Sequence, residues 1–406
     1  MARFDPSAAR GLVARGAFRR WALVASLARL PSVMAPFALL LVGREATGEF
    51  GRGAWLVSAY ALGAAAAAPA RGRALDRAGL PAALGRVLAG EAIVLGAFAA
   101  AAAARAPFAL LLALALALGV VPAGVSGGVR ALLASIARGP SLESAFAIEA
   151  SMFELLWVAG PLVVGLTAAL GAPLASVGVM ALSALAAAAL AGGLPGRAPS
   201  SGGPGRAGGL VRLPGVGPVV GMALCLGVGW GAVEAALPPR LEQIGAGAAF
   251  WGVLSALLAS SSACGGLLCA LAPPAGGEAA ARARLVALAA AWAGLLLPTA
   301  WAGSPAALAL WFTSAGFVLA PLSAQLVASL QRALPPTRHA EGFAVYGAAW
   351  SAGLAIGTAL AGLLLGPGGP RPLLVLAALS PVAAALVAAG PRRALQRLGA
   401  GSTRST

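Results

Sequence analysis

Arg130, Glu149 and Glu154 are charged side chains in or beside two long apolar runs, joined by a short turn at Arg138, Gly139 and Pro140. The stretch reads RALLASIARGPSLESAFAIEASMFELLWVAGPLVVG from Arg130 to Gly165. If both runs are membrane helices, these groups lie in the bilayer, where each costs at least about 2.5–3.5 kcal/mol on insertion scales. Such groups are therefore paired or turned toward an aqueous path. A rise of about 1.5 Å per residue puts Arg130 and Glu149 at comparable depths from the turn, and Glu154 deeper. The two acids are five residues apart, about 140° around a helix, so they occupy different faces. Their expected roles differ accordingly: Glu149 pairs with Arg130, while Glu154 exchanges a proton with the medium. The alternative is that all three tie neighbouring helices together. Arg29, eight residues after Trp21 in the first apolar run, either reaches a central cavity to hold an anionic substrate or snorkels toward a membrane surface.

The elements that must position these groups are visible in composition. Of the 406 residues 60% are hydrophobic and only 10% charged, with a mean hydropathy of +0.90. Apolar runs of about 20 residues, enough to span a bilayer core, recur from one end to the other. The alternation over about 10 residues that marks a membrane barrel is not seen. The expected fold is an all-α membrane protein of twelve transmembrane helices: 21–43, 53–70, 82–104, 107–129, 145–168, 172–194, 215–237, 249–271, 283–302, 305–330, 342–366 and 371–390. The fourth has room to continue to about 136. A stretch rich in Gly, Pro, Ser and Arg, 195–214, divides the spans into six-helix bundles at 21–194 and 215–390, leaving an N-terminal segment 1–20 and a tail 391–406. The halves echo each other at one offset of 197: Gly119 with Gly316, Ala145-Phe146-Ala147 with Gly342-Phe343-Ala344, Gly160 with Gly357, and Gly165 with Gly362. Six plus six is the plan of parallel-repeat transporters.

The net charge of +16 is topological and does not indicate nucleic acid. All 28 basic residues are Arg, and 21 of them fall at the N-terminus, in alternate connections and in the tail, against five (Arg44, Arg52, Arg105, Arg240 and Arg371) on the opposite side. Positive residues concentrate on the cytoplasmic side, so both termini are expected there, in a multi-pass protein of a bacterial inner (plasma) membrane. Cys225, Cys264 and Cys269 lie in apolar runs without metal-ligand spacing, and neither metal nor cofactor is expected. No Lys is present for an ATP-binding P-loop. The match of Gly124-Val125-Ser126-Gly127-Gly128 to a nucleophile elbow falls inside a membrane helix, so no enzyme is expected. Glu91 lies inside the third span, while Glu234, one turn before Pro238, reads as interfacial. Trp230, Trp251, Trp311 and Trp350 fit either a cavity or the membrane interface.

Between spans two and three the chain reads Gly72-Arg73-Ala74-Leu75-Asp76-Arg77-Ala78-Gly79. This resembles the G-x-x-x-D-R-x-G signature of the major facilitator superfamily, matched at Gly72, Asp76, Arg77 and Gly79; Leu80-Pro81 replace the basic pair that often follows. The resemblance implies that Gly72 allows close helix packing and that Asp76 and Arg77 belong to a latch for one conformational state. Gly160-Pro161-Leu162-Val163-Val164-Gly165 is similar to the G-P-x-x-G-G core of drug exporters in that superfamily, with Val164 in place of the first of the final pair of glycines. Gly160, Pro161 and Gly165 equally describe a simple helix kink. What the resemblance implies is a monomeric secondary transporter that exports a small amphipathic organic compound against protons by alternating access. The alternatives are an importer or facilitator for a nutrient, and a non-transporting scaffold or sensor.

Overall fold

In a computed structural model of the chain, the described residues are 11–77, 80–137, 140–195, 213, 215–247, 249–271, 278–334 and 339–389. Their regular structure is helical: α1 (Gly16–Thr47), α2 (Phe50–Arg77), α3 (Leu80–Ala103), α4 (Phe108–Val120), α5 (Val125–Ile136), α6 (Pro140–Ala169), α7 (Leu174–Ala191), α8 (Val216–Gln243), α9 (Ala249–Leu271), α10 (Glu278–Leu296), α11 (Pro305–Ala333), α12 (His339–Gly368) and α13 (Arg371–Ala389). Because α4 and α5 make up one passage, the described residues form twelve. Ten are long and apolar enough to cross a membrane; α2 and α13 complete the set, α13 being apolar but shorter. Helices satisfy their own backbone groups, which is why long apolar runs adopt them in lipid.

The fourth passage departs from the continuous span expected at 107–129. It breaks between Val121 and Gly124, where Gly124 takes φ +89°. The Val121 carbonyl, left out of the helix ladder, accepts a bond of 2.6 Å from Arg71 Nη2 of α2. Elsewhere a proline opens the ladder and a hydroxyl closes it. Pro31 has no N–H for the Leu27 carbonyl, which instead accepts from Ser183 Oγ of α7 at 2.6 Å. Arg240, counted above among the connecting arginines, belongs instead to α8; it is buried and donates to the Ala302 carbonyl at 2.6 Å.

Packing repeats across the two halves. In the first, α1 packs on α6 and α7, α2 on α4, and α3 on α7; in the second, α8 packs on α12 and α13, α9 on α11, and α10 on α13. Moving each contact of the first set six passages along gives the second. The halves meet through α2 with α12 and α6 with α9, pairs exchanged by the same operation. Two of the glycine echoes sit at matching contacts. A methyl added at Gly119 would run into the Tyr60 carbonyl of α2, and one at Gly316 would lie 2.7 Å from the Leu258 carbonyl of α9. Likewise, Gly160 abuts Val33 of α1 and Gly357 abuts Val228 of α8. Small residues permit these approaches between membrane helices.

Contacts between halves gather toward the arginine-poor ends. Ser58 Oγ donates to the Ala355 carbonyl at 2.8 Å, Phe37 meets Trp251 edge to face at 4.5 Å, and Arg44 pairs with Glu242 at 2.9 Å.

Candidate functional site

Three helices of the first half hold one charge cluster. Trp21 Nε1 donates to the Val129 carbonyl at 2.9 Å and pins α1 against α5. Two turns further along, α1 delivers Arg29, whose Nη2 donates to Glu149 Oε1 at 2.7 Å and to the Ser126 carbonyl at 3.1 Å. Ser126 is the second residue of α5, so the break in the fourth passage sets the position of that carbonyl. Arg130, one turn on, donates from Nε and Nη2 to the same carboxylate, the shortest bond being 2.7 Å. The Arg29 guanidinium also lies 5.5 Å from the Phe153 ring centre, a cation–π contact.

The cluster contains two guanidiniums and one carboxylate, an excess of one positive charge. Its exposure is uneven: the side chains of Arg29 and Glu149 are 6% and 2% exposed, whereas Arg130 is 59% exposed. Arg29 Nε has no hydrogen-bond partner among the described residues. The arrangement can therefore hold Glu149 with both oxygens occupied and still offer the free edge of Arg130 to an anionic group, since a guanidinium carries five donors. Arg29 does not snorkel to the surface; it is the inner half of the cluster.

Glu154 is elsewhere. It is exposed, on α6 seven residues before Pro161, and seven residues return a helix to within about 20° of the same face. Further along α6, Leu162 and the Pro161 carbonyl lie against Gly252 of α9. Gly160 lies against α1, and α6 runs unbroken through Pro161 and the buried Gly165.

In the Gly72 motif, backbone meets backbone: a methyl on Gly124 would lie 2.9 Å from the Gly72 nitrogen. Asp76 and Arg77 end α2, but their side chains, like all of Gly79, lie outside the described residues. So do most of the 195–214 stretch and the tail.

Glu234, read as interfacial, turns out to be internal, as Glu91 is inside the third passage. Glu91 and Glu234 are 3% and 4% exposed, and each leaves Oε2 without a partner among the described residues. Glu234 Oε1 accepts from Trp230 Nε1 at 2.7 Å. The interfacial placement of Glu234 took Pro238 as the helix end, yet α8 continues through Pro238 and Pro239 to Gln243, about 13 Å beyond Glu234. An acid inside an apolar run was the available signal.

No family model and no curated protein matches the sequence. Solved structures do. A crystal structure of the human organic anion transporter MFSD10 (TETRAN) superposes with a TM-score of 0.62 at 17% identity, covering 91% of this chain and 99% of that one. A point mutant of the nucleoside transporter NupG gives 0.73 at 13% identity, covering 91% and 98%. A bacterial homologue of the human lysosomal transporter Spinster, inward-facing and unoccupied, gives 0.71 at 14% identity, covering 95% and 97%. With matches that run nearly end to end at this depth, the chain has the all-α membrane fold of major facilitator transporters.

Proposed function

We propose that this protein is a monomeric secondary active transporter that exports a small amphipathic organic compound in exchange for protons. The observation that carries this reading is the net-positive cluster of Arg29, Glu149 and Arg130, set within a repeat fold whose halves touch mainly at their arginine-poor ends. Two bundles that rock about such a central site expose it to one side at a time. The surplus positive charge favours a substrate bearing an anionic group, which the exposed edge of Arg130 would take. Glu154, exposed on α6, exchanges the proton. The arginine excess puts both termini in the cytoplasm of a bacterial inner membrane and makes the state described open to the cytoplasm.

Proton release from purified protein in lightly buffered detergent tests this, on addition of organic acids, neutral drugs and lipophilic cations. Release by the organic acids, lost in Glu154→Gln while substrate binding persists, is the expected result. Release that survives Glu154→Gln but vanishes in Glu234→Gln would move the coupling to the buried acid. If no gradient moves any solute in vesicles, the scaffold reading replaces this one.

The closed end supplies a smaller test. Arg44 and Glu242 are 44% and 50% exposed, so their pair contributes up to about 1 kcal/mol, or about fivefold in an opening equilibrium. In a background without Cys225, Cys264 and Cys269, labelling of a Ser58→Cys reporter should rise by up to about that factor with Arg44→Glu. It should fall back when Glu242→Arg restores the pair. An unchanged rate would remove the pair from the closure.

A further inference from the structure

Away from the charge cluster, the arginine-rich ends of α2 and α3 and the break after α4 enclose a cavity of 320 Å³, whose lining includes Arg71, Leu75, Ala83, Arg86, Val87 and Val121. Among the described residues that line it, two are arginines and none is acidic. The ion pairs among the described residues lie elsewhere, and Arg86 takes part in none of them. Arg71 spends Nη2 on the Val121 carbonyl, which leaves the rest of its donor fork available.

The cavity opens on the lipid face. Ile93, seven residues after Arg86 on α3, is 72% exposed, and that spacing keeps the two within about 20° of one face. Arg86 thus stands on the outward stripe of α3, about 9 Å from the helix start at Leu80. From there a long arginine side chain reaches the headgroup region. Basic pockets between membrane helices on the positively charged side take anionic headgroups, and guanidinium forks match phosphate geometry.

We infer that this cavity binds the headgroup of an acidic phospholipid, with Arg71 and Arg86 on the phosphate and Val87, Gly90 and Val121 along the glycerol and first methylenes. The apolar walls favour a lipid over free phosphate, because they would desolvate a soluble anion without compensation. This requires only the membrane fold and stands apart from the transport reading.

Native mass spectrometry of the full-length protein, titrated with phosphatidylglycerol and with phosphatidylcholine of the same chains, tests it. Each arginine near a membrane surface is worth about fivefold in affinity for an acidic lipid, so wild type should prefer phosphatidylglycerol by about twenty-five-fold. Arg86→Gln, which leaves the Arg71–Val121 bond in place, should keep about fivefold. The double variant with Arg71→Gln should show no preference. A preference unchanged by Arg86→Gln would overturn the assignment. Excess inorganic phosphate should leave phosphatidylglycerol bound; displacement by phosphate would make the site one for soluble anions and overturn the lipid.

Discussion

Glu149→Ala is expected to lower stability by about 3–5 kcal/mol, the range for removing one partner of a buried ion pair. The cause is the charge left behind. Arg29 is 6% exposed, its Nε is already unsatisfied, and Glu149 is the one carboxylate it pairs with among the described residues. Arg130 is 59% exposed and can turn to water; Arg29 cannot. The variant should show lower yield, a broadened size-exclusion profile and a melting temperature several degrees below wild type. A double variant, Arg29→Leu with Glu149→Leu, removes the stranded charge and should recover most of the stability, because a well-packed apolar pair commonly equals a buried ionic one. A Glu149→Ala protein that melts with wild type would mean that water reaches Arg29 and that the cluster is solvated.

Gly357→Leu is expected to be as damaging, through packing. Helices α8 and α12 each present a G-x-x-x-G pair to the other: Gly227 with Gly231, and Gly353 with Gly357. A methyl on Gly227 would lie 3.1 Å from the Gly353 Cα, and one on Gly353 would lie 3.0 Å from the Gly227 Cα. A methyl on Gly231 would lie 3.1 Å from the Thr358 nitrogen, and one on Gly357 would lie 3.0 Å from the Ala232 nitrogen. In each case the obstacle is backbone, which no rotamer change relieves. Overpacking costs about 1–3 kcal/mol and occasionally more. A leucine at this seam should exceed that range, because α8 and α12 must separate and the second bundle is built on their contact. The comparison is Gly178→Leu on α7, where nothing lies within 4 Å and wild-type melting is expected. If Gly357→Leu matches Gly178→Leu in yield and melting, the seam is not tight.

Both predictions rest on features of unequal legibility. Depth along a helix follows from counting residues, so the level shared by Arg130 and Glu149 could be read from their distance to one turn, and the structure joins them at 2.7 Å. The apolar runs and the arginine asymmetry are one-dimensional in the same way, which is why the number of passages was accessible. Azimuth was not. In a membrane both the lipid and the protein interior are apolar, so Ala- and Gly-rich helices carry little amphipathic signal to say which face meets which neighbour.

Azimuth and backbone detail were therefore left to the tertiary structure. It turned Arg29 inward to Glu149, set Glu234 well inside α8 beside Trp230, and stacked Gly227 on Gly353. It also opened the fourth passage at Val121 and closed the gap with Arg71, a residue that sequence alone could count only as one positive charge among many. By itself the sequence determined an all-helical membrane chain, its repeat and the level shared by Arg130 and Glu149. Which charges meet was decided by packing, because helices fifty or a hundred residues apart must first be brought side by side.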